Sequence, residues 1–122
     1  MKRKGNTQYT GLEPDAPMTT NKQGGRQSAT IYRCDLIDSR ALLSISAVHS
    51  LGAAKYGEDN WRKIPVRSHL NHLLMHVHAY LSGDTQDDHL SHAACRAIFA
   101  LAKHIRPKYT GLQSKKRNKN AN

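Results

Sequence analysis

Three carboxylates and three imidazoles crowd one short stretch of this chain. His76 and Tyr80 lie near the end of one helical pattern, and Asp84, Asp87, Asp88, His89 and His92 follow across a turn that begins at Gly83. Clustered carboxylates repel one another until a cation neutralises them, and neutral imidazole is a ligand for borderline divalent ions. A metal bound by such a group polarises a phosphoryl oxygen and lowers the pKa of a coordinated water, giving a nucleophile at neutral pH. The same residues also have a structural reading. Asp-Asp ahead of a helix is what ordinary N-capping and dipole compensation produce, and His89-x-x-His92 lacks the glutamate of the His-Glu-x-x-His zinc motif.

A second group of residue types points to a nucleotide. Lys55-Tyr56-Gly57-Glu58-Asp59-Asn60-Trp61-Arg62-Lys63 gathers cations, two aromatic rings and an amide around a glycine. A nucleotide needs a ring to stack on its base, an amide to read the base edge and cations for its phosphates. The structural alternative is that Trp61 folds back as a core anchor, its indole N–H bonded to a carbonyl.

Three amphipathic helical patterns must position these groups. The first starts at Asp38 or Ser39, carries Ala41, Ile45, Val48 and Leu51, and stops at Gly57. Ser68 opens the second, whose stripe of Leu70, Leu73, Leu74, Val77 and Leu81 runs to Gly83. A cap at Asp87 or Asp88 opens the third, which carries Leu90, Ala94, Ala97, Ile98, Leu101 and Ile105 and ends before Pro107. Apolar spacing of three and four, side-chain caps and glycine stops are what mark these segments as helices. The short link between the second and third predicts an antiparallel hairpin. Beside its leucine stripe the second helix has a polar column of His69, His72, His76 and Tyr80; the third has His89, His92, Arg96, Phe99 and Lys103. Antiparallel pairing brings His76 and Tyr80 beside Asp84, Asp87, Asp88, His89 and His92. The expected architecture is all-α, a compact bundle of three to four helices spanning 31–105, between a flexible segment 1–30 and a basic flexible tail 106–122.

Charge and composition narrow the function classes. The formal charge is +10, with residues 1–33 contributing +4 and residues 106–122 contributing +6. Residues 34–105 are formally neutral and contain all eight histidines, so the part expected to fold is not a basic protein. A mean hydropathy of −0.70 reflects those polar ends. No apolar run approaches the roughly 20 residues of a membrane span, and Met-Lys-Arg-Lys leads into no signal-peptide core. Cys34 and Cys95 form no CxxC pair and are too few for a disulfide framework, so reduced thiols in a cytoplasmic compartment are expected.

Several strings together resemble a known family. They are Tyr32-Arg33-Cys34-Asp35-Leu36-Ile37, Ala41-Leu42, Gly52-Ala53-Ala54-Lys55-Tyr56-Gly57 with Asn60-Trp61, His76, Tyr80, and Gly83-Asp84-Thr85 through Asp87-Asp88-His89-Leu90. They resemble the dATP/dGTP diphosphohydrolase N-terminal domain of phages and bacteria, a compact helical domain. The resemblance covers roughly residues 30–105. It implies a magnesium-type enzyme (or one using Mn2+ or Co2+) that cleaves between the α and β phosphates of purine deoxynucleoside triphosphates, releasing monophosphate and diphosphate. It implies a metal end at Asp84, Asp88 and His89, with Asp87 and His76 as second candidates, and a catalytic group drawn from Asp88, His89 and His76. It implies a nucleotide end at Lys55, Tyr56, Asn60 and Trp61, with metal-activated water attacking the α-phosphorus while Lys55 offsets developing charge. The chain departs from the family pattern at Asp38-Ser39, where a proline pair is usual, at Arg40 for a glutamate, at Met75 for an arginine and at Arg96 for an asparagine.

Those implications make the chain a nucleotide hydrolase of an infected host's cytoplasm. Association into homo-oligomers is expected, because three short helices bury little surface alone. The rival expectation is a non-catalytic phage protein that binds nucleotide or nucleic acid through its basic tails.

Overall fold

The computed structural model describes residues 10–105, in two compact units divided between Asp38 and Ser39. The first nine residues and the basic tail 106–122, on which the nucleic-acid reading rests, lie outside the described residues.

Within the first unit, β1 (Met18–Thr20) and β2 (Arg26–Ser28) form a small antiparallel hairpin, with Met18 opposite Ser28 and Thr20 opposite Arg26. No apolar alternation in the sequence announces it. The turn is organised by Asn21, whose Oδ1 accepts the backbone N–H of Gln23 at 3.0 Å and of Gly25 at 2.8 Å. Gly24 takes the left-handed φ of +88° that the turn requires. Upstream, the Glu13 carboxylate accepts the backbone N–H groups of Thr10 and Gly11, and the Thr10 bond is the main cause holding its pKa at about 2. A short 3-10 turn over Cys34–Leu36 follows, flanked by an exposed Arg33–Asp35 ion pair at 2.8 Å.

Helices make up the second unit: α1 (Ser39–Tyr56), α2 (Val66–Leu81) and α3 (His89–His104), with a 3-10 turn at Asn60–Lys63 between the first two. The all-α class read from the sequence holds. Gly57 (φ +100°) and Gly83 (φ +91°) end α1 and α2 by bonding back, Gly57 N–H to Ala53 O and Gly83 N–H to Tyr80 O. Asp88 caps α3, its carboxylate accepting the Ser91 N–H at 3.3 Å. One start differs from expectation: α2 begins at Val66 rather than Ser68, because the carbonyl of Pro65 at the N-cap accepts the backbone N–H groups of Ser68 at 3.0 Å and His69 at 3.2 Å. Two contacts give the hairpin its antiparallel sense. His76 meets His89 near the turn, and His69 meets Arg96 at the far end. α3 also packs against α1.

The stripes that located the helices are not the faces the unit buries. Leu51, Leu74, Leu81, Leu90 and Leu101 are each more than half exposed. The residues buried among those described are Ser91, Ala93, Cys95, Ala100 and His69. Small residues on α3 let its backbone approach α2, and His69, His76, His92, Arg96 and Phe99 of the polar columns turn inward, while His72 and Tyr80 stay exposed.

His69 is the pin of that interior, with none of its surface exposed. Its Nε2 lies 2.9 Å from the Trp61 carbonyl oxygen, so that nitrogen carries the hydrogen and donates it. Arg96 Nη1 lies 3.1 Å from Nδ1 and can only donate, so Nδ1 is the acceptor. The ring is therefore neutral. Burial pushes its pKa below the ordinary imidazole value, outweighing the Trp61 carbonyl, which pulls the other way. A depressed folded-state pKa means the unfolded chain binds more protons, so the stability it contributes is present above the unfolded value and lost on acidification. Circular-dichroism melts should show a falling melting temperature between about pH 7 and about pH 5. His69→Gln, which can still donate to Trp61 and accept from Arg96, should flatten that dependence.

Candidate metal and nucleotide site

The last turns of α2 and the first turn of α3 bring two imidazoles into contact. His76 Nδ1 lies 3.0 Å from His89 Nδ1, and on the other side of its ring His89 Nε2 lies 2.5 Å from Asp84 Oδ2. The carboxylate fixes the His89 hydrogen on Nε2 and leaves its Nδ1 lone pair facing His76. His92 stacks on His76 with centroids 5.0 Å apart, and its own Nε2 is 3.4 Å from Asp87. Ligand atoms of His76, Asp87 and His89 all fall within 4.8 Å of one another.

This geometry suits a cation. Two nitrogens each about 2.1 Å from one ion, at right angles, lie about 3.0 Å apart. A carboxylate on the far nitrogen of a ligating imidazole is the arrangement that orients such ligands and raises their basicity. Burial, followed by the neighbouring His92 and His89, pushes the His76 pKa down, so the ring is neutral at neutral pH, the state in which it coordinates.

The expected metal residues are thus sorted by position. Asp87 and His89 join His76 in the cluster, and Asp84 stands behind His89. The Asp88 carboxylate caps α3 through the Ser91 N–H; the Ser91 side chain first, and that N–H second, hold its pKa below the ordinary carboxylate value. Arg40 and Met75, two of the departures from the family pattern, are both exposed.

A cavity of about 810 Å³ opens next to this cluster, and Lys55, Tyr56, Asn60 and Trp61 all line it, together with His92 and Arg96. His92 therefore belongs to both regions. Trp61 also has the packing role of the structural alternative: its ring stacks on Phe99 at 4.8 Å with planes 9° apart, and the Arg62 guanidinium lies 4.3 Å from its centroid. Tyr56 is the more available ring. It is exposed at the rim, with Lys55 Nζ 5.1 Å from its centroid.

Two cavity residues escaped the sequence reading as site candidates. His49, on α1, tilts against Phe99 at 4.9 Å, and its buried Nε2 has no hydrogen-bond partner among the described residues. Its place beside Val48 in an apolar stripe gave no signal. Arg96 did stand in the polar column of α3, but nothing in the spacing showed that His69 would hold it.

No curated protein and no solved structure matches the chain. The family model described as dATP/dGTP diphosphohydrolase, N-terminal, matches residues 21–113. That span contains all three helices, the imidazole cluster and the cavity, and it agrees with the motif strings in the sequence. The chain belongs to the dATP/dGTP diphosphohydrolase N-terminal domain family.

Proposed function

We propose that the chain is a metal-dependent diphosphohydrolase that converts dATP or dGTP to monophosphate and diphosphate. The observation that carries this reading is the His76–Asp87–His89 cluster adjoining, through His92, a cavity lined by Lys55, Tyr56 and Asn60. Bound there, a divalent ion would supply Lewis acidity and a water of lowered pKa. Mg2+ fits the reaction class, while two imidazole donors favour Mn2+ or Co2+.

The chain's own residues divide the remaining work. Asp84 orients His89 through its Nε2–H. Lys55 at the rim offsets charge on the phosphates, the exposed Tyr56 ring offers a face to the base, and Asn60 offers an amide to its edge. The exposed leucines of all three helices are surfaces through which copies of the chain would associate. Sedimentation velocity should then show a species larger than a monomer, and a monomer alone would reject that association.

Release of diphosphate from dGTP, measured with Mg2+, Mn2+ and Co2+ in turn, tests the activity; no turnover with any of them would sink it. His76→Ala and Asp87→Ala should abolish metal-dependent turnover. Asp84→Asn, which keeps the size but weakens the acceptor, should raise the metal concentration needed by about 10–100-fold. Asp88→Ala separates cap from ligand: it should lower stability by about 1 kcal/mol and leave the metal requirement nearly unchanged.

A further inference from the structure

The buried imidazole of His69 has no part in the chemistry above, yet it is held at both nitrogens. Its role is visible in what it holds. The Nδ1 lone pair accepts one N–H of Arg96, and the Trp61 carbonyl anchors the opposite side of the ring. Arg96 lines the cavity wall, and among the described residues no carboxylate forms an ion pair with it. A carboxylate in the place of His69 would cancel the guanidinium charge. A neutral imidazole directs the group without cancelling it.

Guanidinium carries five N–H donors in a planar fork and stays protonated under all ordinary conditions. His69 occupies one of them. The charge stands on a part-buried wall, where an uncompensated ion is costly. Lys55 adds a second cation to the same lining, against one acid, the exposed Glu58. A wall of this kind is completed by a ligand that brings its own negative charge and paired oxygens, which is what a phosphoryl group offers to an arginine fork.

We propose that Arg96 is the oxyanion receptor of the cavity, gripping a phosphoryl group of a polyphosphate ligand, and that His69 is the positioning residue that aims its guanidinium. This deepens the nucleotide reading of the cavity and rests on it. Arg96 lies one helical turn from His92, which lines the same cavity and stacks on His76 of the imidazole cluster.

Calorimetric titration of the full chain with inorganic tripolyphosphate, in EDTA and about 0.15 M salt, reads this site apart from any metal. The basic tails are the same in every variant, so differences between variants report the cavity. Arg96→Gln should weaken binding at least about tenfold, with Arg96→Lys falling between it and the wild type. His69→Ala should weaken binding as well, His69→Gln should restore most of it, and His69→Ala/Arg96→Gln should bind no more weakly than Arg96→Gln alone. Melts of each variant confirm that it is folded, and if His69→Ala does not fold, the comparison of Arg96→Gln with wild type decides. Absence of wild-type binding, or unchanged affinity in Arg96→Gln, overturns the receptor; losses that add in the double variant overturn the positioning role. Arg96-dependent binding without diphosphate release from dGTP would leave the anion receptor standing and remove the hydrolase reading instead.

Discussion

The second unit depends on a neutral, fully buried imidazole that is bonded at both nitrogens. His69 joins the backbone of the turn before α2 to a side chain of α3, and each nitrogen has a fixed role because one partner only accepts and the other only donates. Hydrogen bonds in a dry interior are strong and directional, and leaving one unmade costs more than making it gains. The ring thus fixes three elements at once. With Trp61 held by its carbonyl, its indole is stacked on Phe99, and Phe99 in turn meets His49 of α1. Lys103 Nζ donates to the Arg62 carbonyl at 2.6 Å and closes the far end of the same seam.

The imidazole cluster is positioned by the opposite end of the hairpin. Gly83 reverses the chain with a left-handed backbone, and the Asp84 N–H bonds back to the Ala79 carbonyl at 3.1 Å. That turn puts the Asp84 carboxylate beside His89, which orients the His89 ring toward His76. Asp88 stabilises the start of α3 and so sets where His89 and His92 emerge. Cap, turn and candidate ligands are neighbours because one tight connection provides all three.

The α2–α3 hairpin turns His69, His76, His92 and Arg96 inward and leaves Leu74, Leu81, Leu90 and Leu101 more than half exposed. A polar interior is tolerated only when its groups are bonded to one another, and here nearly all of them are, His49 Nε2 being the buried side-chain atom without a partner among the described residues. The arrangement gives one short hairpin two surfaces. Its inner face carries imidazoles and a guanidinium next to a cavity, and its outer face carries exposed apolar side chains.

Local signals were enough to determine the helices and the hairpin. Apolar spacing, Gly57, Gly83, the Asp88 cap and the short link are properties of neighbouring residues, and they set the ends of α1 and α2, the start of α3 and the antiparallel sense, but not the start of α2 at Val66. The gathering of His76, Asp84, Asp87 and His89 followed from that sense alone, and the motif strings carried the family. Tertiary structure decided which face of each helix turned inward, which carboxylate met which imidazole nitrogen, and that His69 would hold Arg96. A helix's periodicity states that two faces differ but not which of them finds partners, and here hydrogen bonds across three elements, distant in sequence, settled that choice.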